Sequence, residues 1–504
     1  MLASSMGFVF RRYQVSFRLA WSVALLAPLT VSLASSAQAQ FETRAAFAVG
    51  EVIPYSLVVG DFNGDGIVDV AVVNVVQNTT GNVEILLGNG DGTFRMGATY
   101  PLTDPAVYAV DGSLRGNGIL DLVLGVVGGG NEVYVMLGNG DGTFQAPVSY
   151  PTTAESEMIA LGDFTGDGII DIADLEGVST QGVVCYCIEV LPGNGDGTFG
   201  APIATIPVPY GIFGYSIAAG DFNGDDKLDV VVAGFQGSRY QADILLGNGN
   251  GTFTPDGFYP GASAGSIATG YFTGDNRKLD IALTTGGLAV MLGHGDGTFN
   301  APVYYNENTS GASWVIAEDF NGDGRTDLAA SIDGGPPHSK AGVTVLNGNG
   351  DGTFQKGVFY PVGTTEGGQF VATADFNGDH RPDLLVLNSV NGIITTLLNT
   401  GVVSFSPTTP LNFGNQAIGT TGRQQSVTLT NTGTTELKIQ SMTASAEFGM
   451  KSTCGDRVAP GANCDIRATF SPTKQGAQTG TITITIIDNA SSKPQVIELL
   501  GTGT

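Results

Sequence analysis

A nine-residue acidic loop recurs seven times in this chain of 504 residues, and this repetition restricts the possible folds more than any other feature. The copies, here called the acidic loops, begin at residues 61, 113, 163, 221, 271, 319 and 375. A second motif alternates with them and reads Gly-Asn-Gly-Asp-Gly-Thr-Phe in its complete form; we call it the turn motif. Its phenylalanine lies at 94, 144, 199, 253, 299 and 354, and a degenerate seventh copy runs from Leu398 to Phe405. Seven copies of each motif indicate seven structural units.

Short apolar runs separate the motifs and predict four β-strands in each unit. In the third unit these runs are Met158–Leu161, Ile170–Ala173, Val183–Leu191 and Phe199–Ile206. One four-stranded meander cannot bury both of its faces, whereas seven meanders packed around an axis can. We therefore expect an all-β chain with a seven-bladed β-propeller over residues 40–405.

The start of the propeller predicts how its ring closes. The segment Phe41–Val49 aligns with Phe144–Tyr150, the strand that follows a turn motif, while the seventh unit ends near Phe405 without such a strand. We expect the N-terminal segment to form the outer strand of the seventh blade.

Residues 406–504 follow a different β pattern, with polar and apolar residues alternating over 426–430, 465–470 and 481–486. This spacing predicts an Ig-like β-sandwich of about seven strands. Cys454 and Cys464 flank a turn-forming segment and are predicted to form a disulfide. Cys185 and Cys187 lie two residues apart on one strand, too far for a disulfide; they are either buried thiols or a metal or redox pair.

Residues 1–39 have the pattern of a signal peptide, in which three arginines precede the apolar stretch Leu19–Leu33 and the segment ends in Ala37-Gln38-Ala39. We therefore expect a secreted or cell-surface protein that is monomeric and has no transmembrane segment in the mature chain. The 47 acidic and 21 basic side chains give a net charge of −26, which disfavours nucleic acid and anionic membranes as partners and favours cations.

The acidic loops predict calcium sites. In the first copy, oxygen-bearing side chains occupy positions 1, 3, 5 and 9, and the carbonyl of position 7 adds a further oxygen, which is the spacing by which a tight loop wraps a hard cation. Five copies keep this set, so we expect about five calcium ions. The predicted ligands are Asp61, Asn63, Asp65, Ile67 and Asp69; Asp163, Thr165, Asp167, Ile169 and Asp171; Asp221, Asn223, Asp225, Lys227 and Asp229; Asp319, Asn321, Asp323, Arg325 and Asp327; and Asp375, Asn377, Asp379, Arg381 and Asp383.

Ordinary Asx turns are the alternative interpretation of these loops. Three carboxylates within nine residues repel one another unless a cation neutralises them, and this crowding favours calcium. Position 6 needs a positive φ, which Gly66 provides and which Asp226 and His380 tolerate. The copies at 113 and 271 are broken: Arg115 places a guanidinium at a ligand position, and the second begins with Tyr271. The turn motif has one carboxylate and is typical of a hairpin, with Phe94 and its equivalents packing between blades.

These residues resemble the FG-GAP, or VCBS-type, repeats of integrin α-subunit propellers and of bacterial secreted proteins, over roughly residues 41–405. The Asp-Phe-Asn-Gly-Asp-Gly core is intact at Asp61–Gly66 and Asp319–Gly324. The resemblance implies a seven-bladed propeller with calcium between the first two strands of a blade. The C-terminal segment, with Asn412-Phe413-Gly414 and Phe470-Ser471-Pro472, resembles Ig-like domains of the ASPM/SPD-2/hydin type.

Three hypotheses for function remain. The first is an extracellular binding or adhesion module for a protein or glycan, which export and calcium favour. The second is a polysaccharide lyase or hydrolase, and the third is a structural matrix component. His294, His338 and His380 lie in different units, and the sequence pattern shows no acidic pair outside the repeated motifs, so we expect no enzyme.

Overall fold

The computed structural model describes residues 41–504 apart from short gaps at 50–52, 77–78, 129, 181–182, 204, 209–212, 237–238, 262–264, 323, 335–340, 363–367, 380, 400–402, 407–410, 432–435, 460 and 489–490. The predicted signal peptide, residues 1–39, therefore lies outside the described residues. Within these ranges the regular elements are all β-strands. In this part of the chain there is no helix of the length and hydrophobicity needed to cross a membrane.

Strands of residues 41–399 form seven four-stranded antiparallel sheets in the described part of the chain, in agreement with the predicted units. Six of the sheets are consecutive meanders. These are β2 (Ile53–Gly60), β3 (Asp69–Val76), β4 (Thr80–Gly88) and β5 (Phe94–Leu102); β6 (Ala106–Gly112), β7 (Asp121–Val126), β8 (Glu132–Met136) and β9 (Val148–Pro151); β10 (Glu155–Gly162), β11 (Asp171–Thr180), β12 (Val183–Leu191) and β13 (Thr205–Pro207); β14 (Phe213–Gly220), β15 (Asp229–Gln236), β16 (Arg239–Gly247) and β17 (Phe253–Pro260); β18 (Ile267–Gly270), β19 (Asp280–Thr284), β20 (Leu288–Met291) and β21 (Val303–Tyr305); and β22 (Ala312–Glu318), β23 (Asp327–Ile332), β24 (Gly342–Leu346) and β25 (Val358–Pro361).

The seventh sheet combines the two ends of the repeat region. Its strands are β26 (Gly368–Ala374), β27 (Asp383–Asn388), β28 (Ile393–Asn399) and, on the outside, β1 (Phe41–Ala48). Strand β1 pairs antiparallel with β28, from Phe41 opposite Asn399 to Ala48 opposite Ile393. The predicted closure by the N-terminal segment is confirmed.

The sheets follow one another in a closed ring. The first strand of each sheet contacts the first strand of the next, and β26 of the seventh sheet contacts β2 of the first. We call the seven sheets blades 1 to 7, beginning with the sheet of β2. Second strands are almost wholly buried, as in Asp69–Val76, because neighbouring blades cover both of their faces. This is the arrangement that the four-strand pattern predicted.

Phe41 holds the place that the sequence assigned to Phe405. In the other blades the phenylalanine of the turn motif pairs with a glycine at the end of the third strand or two residues beyond it, as Phe94 does with Gly88 and Phe144 with Gly138; in blade 7, Phe41 pairs with Asn399. Phe405 instead lies on strand β29 (Val403–Ser406), which pairs with a strand of the C-terminal domain. The sandwich therefore begins a few residues before the predicted boundary at 406, since Phe405 packs on its core.

The C-terminal residues form two sheets, as expected for an Ig-like sandwich. Cys454 and Cys464 are joined by a disulfide, with their Cα atoms 4.9 Å apart. Cys187 of blade 3 is buried. The first sheet contains β29, β31 (Gln425–Asn431), β35 (Asn463–Phe470) and β33 (Phe448–Ser452); the second contains β30 (Leu411–Gln416), β37 (Ser491–Gly503), β36 (Gly476–Asp488), β32 (Leu437–Ala444) and β34 (Arg457–Val458).

Candidate metal-binding loops

Each acidic loop connects the first and second strands of a blade, and in blades 1 to 6 the turn motif connects the third strand to the outer strand. Since strands alternate in direction within a blade, both connections lie at the same end of the ring. The structure therefore gathers the predicted ligand residues along one rim, which we call the loop rim.

In blade 1 the acidic loop folds around its first aspartate. The Asp61 carboxylate accepts hydrogen bonds from the backbone N–H groups of Gly64, at 2.7 Å, and Gly66, at 2.8 Å. Asn63 Oδ1 accepts the N–H of Asp65, and Asp65 Oδ1 accepts that of Ile67, each at 2.8 Å. Positions 1, 3 and 5 are thus brought into one turn by their own side chains, as Asx turns are.

The same turn recurs in the other four complete loops. The first aspartate accepts the N–H of position 4 at 2.7 to 2.8 Å in all of them, at Asp163, Asp221, Asp319 and Asp375. Position 6 has the predicted positive φ, +80° at Gly66 and +63° at Asp226. Asp323 and His380 lie outside the described residues.

The ninth-position aspartates behave differently from the rest of the loop. Asp69 is fully buried, and its carboxylate accepts the N–H of Phe62 at 3.1 Å and that of Gly88 at 2.8 Å. It thereby ties the acidic loop to the end of the third strand. Burial, together with the charges of Asp65 and Asp61, raises its pKa. The ligand role of this position stays a prediction, but the structure shows a second role that the sequence analysis did not assign.

The same pair of hydrogen bonds, which we call the clamp, is present in all seven blades, including the two with broken acidic loops. In each blade a fully buried aspartate accepts one N–H from the second residue of the acidic loop and one from the end of the third strand. The aspartates are Asp69, Asp121, Asp171, Asp229, Asp280, Asp327 and Asp383. The clamp also occurs in the two blades whose acidic loops lack the other predicted ligands. It therefore stabilises the fold whether or not a cation binds.

The oxygen set of positions 1, 3 and 5 suits a hard cation in chemistry. Asp65 uses one carboxylate oxygen for its turn, which leaves the other for a ligand. In the described ranges, however, no group of three or more acidic, histidine or cysteine side chains is arranged to hold a metal ion. In the acidic loops, the ninth carboxylate is directed at backbone N–H groups instead. Positions 1, 3 and 5 would hold the ion, with the carbonyl of position 7 and water completing the shell.

Basic side chains at position 7 distinguish the five loops from one another. In blade 4, Lys227 Nζ lies 3.3 Å from Asp225 Oδ2, and in blade 7 the charge of Arg381 lowers the pKa of Asp379, against the burial that raises it. These cations compete with a metal for the fifth-position carboxylate. Blades 1 and 3 have isoleucine at this position and no such competitor.

Arg115 occupies a ligand position in the acidic loop of blade 2, where the sequence predicted a positive charge instead of a metal ion. Its guanidinium approaches the buried carboxylate of Asp121 to 2.5 Å and donates to the carbonyl of Gly138. The loop keeps its shape, since Ser113 Oγ accepts the N–H of Gly118 at 2.9 Å. This loop therefore neutralises its buried carboxylate from within.

Replacing Arg115 with Gln should destabilise the protein by about 3 kcal/mol, because it leaves the charge of Asp121 buried without its cation. Thermal unfolding of R115Q with and without calcium measures the effect. The loss should be the same in both conditions; a loss that calcium repairs would mean that the Arg115 loop can take a metal once the guanidinium is gone.

The acidic loop of one blade is locked to the turn motif of the next. The N–H of Gly142 in blade 2 donates to the carbonyl of Phe62 in blade 1, at 2.9 Å. The Phe62 ring meets the turn-motif ring of Phe144 edge-on, with centroids 5.4 Å apart. The same ring pair joins other blades, and at closure Phe41 meets Phe320 at 5.8 Å. The prediction that turn-motif phenylalanines pack between blades is confirmed, and their partners are residues of the acidic loops.

A buried acidic group in blade 3 was missed by the sequence analysis, which found no acidic pair outside the repeated motifs. Asp174 and Glu176 on β11 and Glu189 on β12 are each at most 2% exposed. Thr153 donates its hydroxyl to Glu189 at 2.6 Å, and Ser156 donates to Asp174 at 2.5 Å. Burial and the adjoining Glu189 raise the pKa of Glu176 to about 10. The sequence signal that could have revealed this group was the presence of two acidic residues, Asp174 and Glu176, at alternate positions of a second strand.

A Gly-x-Ser-x-Gly sequence at 261–265 also escaped the sequence analysis. A nucleophile elbow requires a strand, a sharp turn and a helix. This segment instead begins directly after the outer strand β17 and leads to β18, and its residues 262–264 lie outside the described ranges. It gives no support to a catalytic serine.

Comparison with solved structures finds 259 matching chains, and three of them illustrate the range. The BP39L lectin from Burkholderia pseudomallei is 16% identical, with 69% of this chain and 97% of that chain covered, at a TM-score of 0.49. The Vibrio cholerae biofilm matrix protein Bap1 is 12% identical, with 72% and 92% covered, at 0.40. The ASH/PapD-like domain 7 of human CEP192 is 14% identical, with 20% and 85% covered, at 0.18. No curated protein sequence matches the chain significantly.

Two family models match the sequence. Residues 400–496 match the domain described as abnormal spindle-like microcephaly-associated, ASPM-SPD-2-Hydin. The FG-GAP-like repeat matches residues 61–112, 114–173, 186–232, 276–330 and 319–386, which together make up more than half of the chain. The chain therefore belongs to the family of proteins built from FG-GAP-like repeats.

Proposed function

We propose that this protein is an extracellular binding or adhesion module whose propeller is stabilised by calcium and whose ligand is a protein or a glycan. The observation that carries the proposal is the contact between the acidic loop of one blade and the turn motif of the next, which we call the joint. The second residue of a complete acidic loop supplies both the ring and the carbonyl that hold the next blade. Order in the loop and order between blades are therefore coupled.

Calcium would act on this joint through electrostatics. Asp61, Asp65 and Asp69 place three carboxylates in one short loop, and their mutual repulsion opposes the folded state. A divalent cation bound by the oxygens of positions 1, 3 and 5 removes that repulsion and fixes the loop against its neighbour. Sites of this kind in extracellular modules bind calcium with Kd values of roughly 0.1 to 1 mM, so their occupancy would follow the calcium concentration outside the cell.

The proposal assigns the protein a binding role rather than catalysis. The acidic group of blade 3, which is buried to at least 98% and cannot reach a polysaccharide, supports this assignment. A depolymerisation screen on purified protein tests this part of the proposal. Cleavage of any polysaccharide would contradict it, while retention on a glycan array or on a protein partner without cleavage supports it.

Removing calcium with a chelator should lower the melting temperature of the protein, because an ion that binds only the folded loops stabilises by mass action. At calcium 100-fold above Kd each site contributes about 2.7 kcal/mol. Differential scanning calorimetry across a calcium titration gives the measurement, and a melting temperature indifferent to both chelator and calcium would refute the metal assignment.

Two variants make the calcium experiment specific. Asp65→Ala removes a ligand from blade 1 and should reduce the bound calcium, measured by atomic absorption, by one ion. Asn117→Ala changes the equivalent position of the broken loop in blade 2 and should leave the calcium content unchanged. Equal losses in the two variants would show that the metal is not held by the acidic loops.

A further inference from the structure

A cavity of about 430 Å³ lies on the axis of the propeller, among the first strands of five blades. Its size falls in the range of small-molecule sites and not of protein docking surfaces. Much of its wall is aliphatic, and the chemically distinctive residues are Tyr108, Asp111, Trp314, Phe370 and Thr373. None of these belongs to an acidic loop or a turn motif.

Three aromatic side chains form a continuous row in this cavity. The Tyr108 and Trp314 ring centroids are 6.0 Å apart, with the ring planes inclined by 42°. Trp314 and Phe370 are 4.3 Å apart and inclined by 38°. Each of these residues follows a β-bulge in its first strand, between residues 106 and 108, 312 and 314, and 368 and 370. A bulge reorients a side chain, and here it adds an aromatic ring to the row at the axis.

The polar side of the cavity is formed by Asp111 and Thr373, which lie nearest the loop rim. Thr373 donates its hydroxyl to the Asp383 carbonyl at 2.9 Å and keeps its oxygen as an acceptor. No side chain or other residue of the described ranges donates a hydrogen bond to the Asp111 carboxylate. Burial raises the pKa of Asp111 to about 6, so the group is mostly ionised at neutral pH. Its carboxylate therefore keeps acceptor capacity for the donors of water or of a ligand in the cavity.

We infer that this axial cavity binds a neutral pyranose, with one face of the sugar ring on Trp314 and its hydroxyl groups donating to Asp111. The inference deepens the proposed function by naming the ligand class and one site for it. Aromatic faces carry negative charge, and the C–H groups on one face of a pyranose are weakly positive. Hydroxyl hydrogen bonds to a carboxylate are charge-assisted and short.

The ring geometry favours a sugar over an organic ammonium ion. An ammonium cage surrounds its cation with several ring faces, whereas Phe370 overlaps one face of Trp314, with the centroids 4.3 Å apart, so these two rings do not face a common point. Acidic sugars are disfavoured by Asp111 and by the net charge of −26. An organic ammonium ion is therefore an outcome of the experiment that would overturn the inference.

Tryptophan fluorescence reports on this site directly. The chain has two tryptophans, Trp21 in the predicted signal peptide and Trp314 in the cavity, so a Trp21→Phe variant leaves one reporter. Titration with glucose, galactose, mannose and N-acetylglucosamine should shift its emission for at least one sugar. The same titration with tetramethylammonium should leave it unchanged; a response to tetramethylammonium and to none of the sugars would refute the inference.

Two substitutions separate this site from others. Asp111→Asn should weaken binding of the sugar at least tenfold. The control Asp243→Asn changes a buried carboxylate outside the cavity and should retain wild-type affinity for the sugar. Calorimetric titration with the same sugar measures both. Wild-type affinity in D111N would contradict the axial site; if such a variant still bound a glycan array, the proposed function would stand and only this location would fail.

Discussion

Deleting residues 41–48 should produce the largest loss of stability of any short truncation, because this segment closes the ring. It removes strand β1 from blade 7 and leaves the backbone of β28 unpaired along its outer edge. It also removes Phe41, whose ring contacts Phe320 of blade 6 and Tyr360. We expect the melting temperature to fall by on the order of 10 °C, equivalent to several kcal/mol, and the protein to aggregate on heating.

The matched control is a deletion at the other end of the chain. Removing residues 403–504 takes away the whole sandwich, beginning with strand β29, and leaves the seven sheets of the propeller intact. Scanning calorimetry of both truncations should show a propeller transition that is preserved in the C-terminal deletion and lowered in the N-terminal one. The reverse result would mean that β1 does not hold the ring closed.

Replacing a ninth-position aspartate with alanine should be the most damaging single substitution in an acidic loop. Asp69→Ala leaves two buried N–H groups, those of Phe62 and Gly88, without acceptors. Each unsatisfied group costs about 1–3 kcal/mol, so the free energy of unfolding should fall by about 2–6 kcal/mol. This loss should persist in chelator, because the clamp acts on the backbone and needs no cation.

Asp280→Ala in blade 5 tests whether the clamp is independent of metal. Its acidic loop is broken, yet Asp280 accepts the N–H groups of Phe272 and Gly293, each at 2.8 Å. D280A should therefore lose about as much stability as D69A in the absence of calcium. If D69A were harmful only in calcium and D280A were harmless, the ninth position would be a metal ligand and nothing more.

The repeat explains why so much of the fold was predictable. Turn chemistry is local: Asp61, Gly64 and Gly66 make their contacts within six residues, so the letters alone specify the loop. The same holds for the turn motif, in which Thr93 donates to Asp91 two residues away. Seven copies in register then leave a ring of four-stranded sheets as the solution that buries every face.

Two phenylalanines, Phe41 and Phe405, were candidates for one position in the seventh repeat. Phe405 ends the degenerate turn motif, whereas Phe41 begins the segment that aligns with the strand after a turn motif, and the pairing of β1 with β28 shows that Phe41 takes the place between the blades. Phe405 is bound by the register of β29 in the sandwich instead. The paired residues lie more than 350 positions apart, and the alignment of Phe41–Val49 with Phe144–Tyr150 was the sequence signal that predicted the pairing.

The amino-acid sequence by itself determined the number of units, the shape of the acidic loops and the strand that closes the ring, because each depends on short-range hydrogen bonding or on counting a repeat. Tertiary structure alone decided three other features. It turned the ninth aspartates onto backbone N–H groups, buried Asp174 beside Glu189, and brought Tyr108, Trp314 and Phe370 together at the axis. These three features share one physical reason. The effect of a buried polar or aromatic side chain depends on its neighbours, and those neighbours come from distant strands and blades.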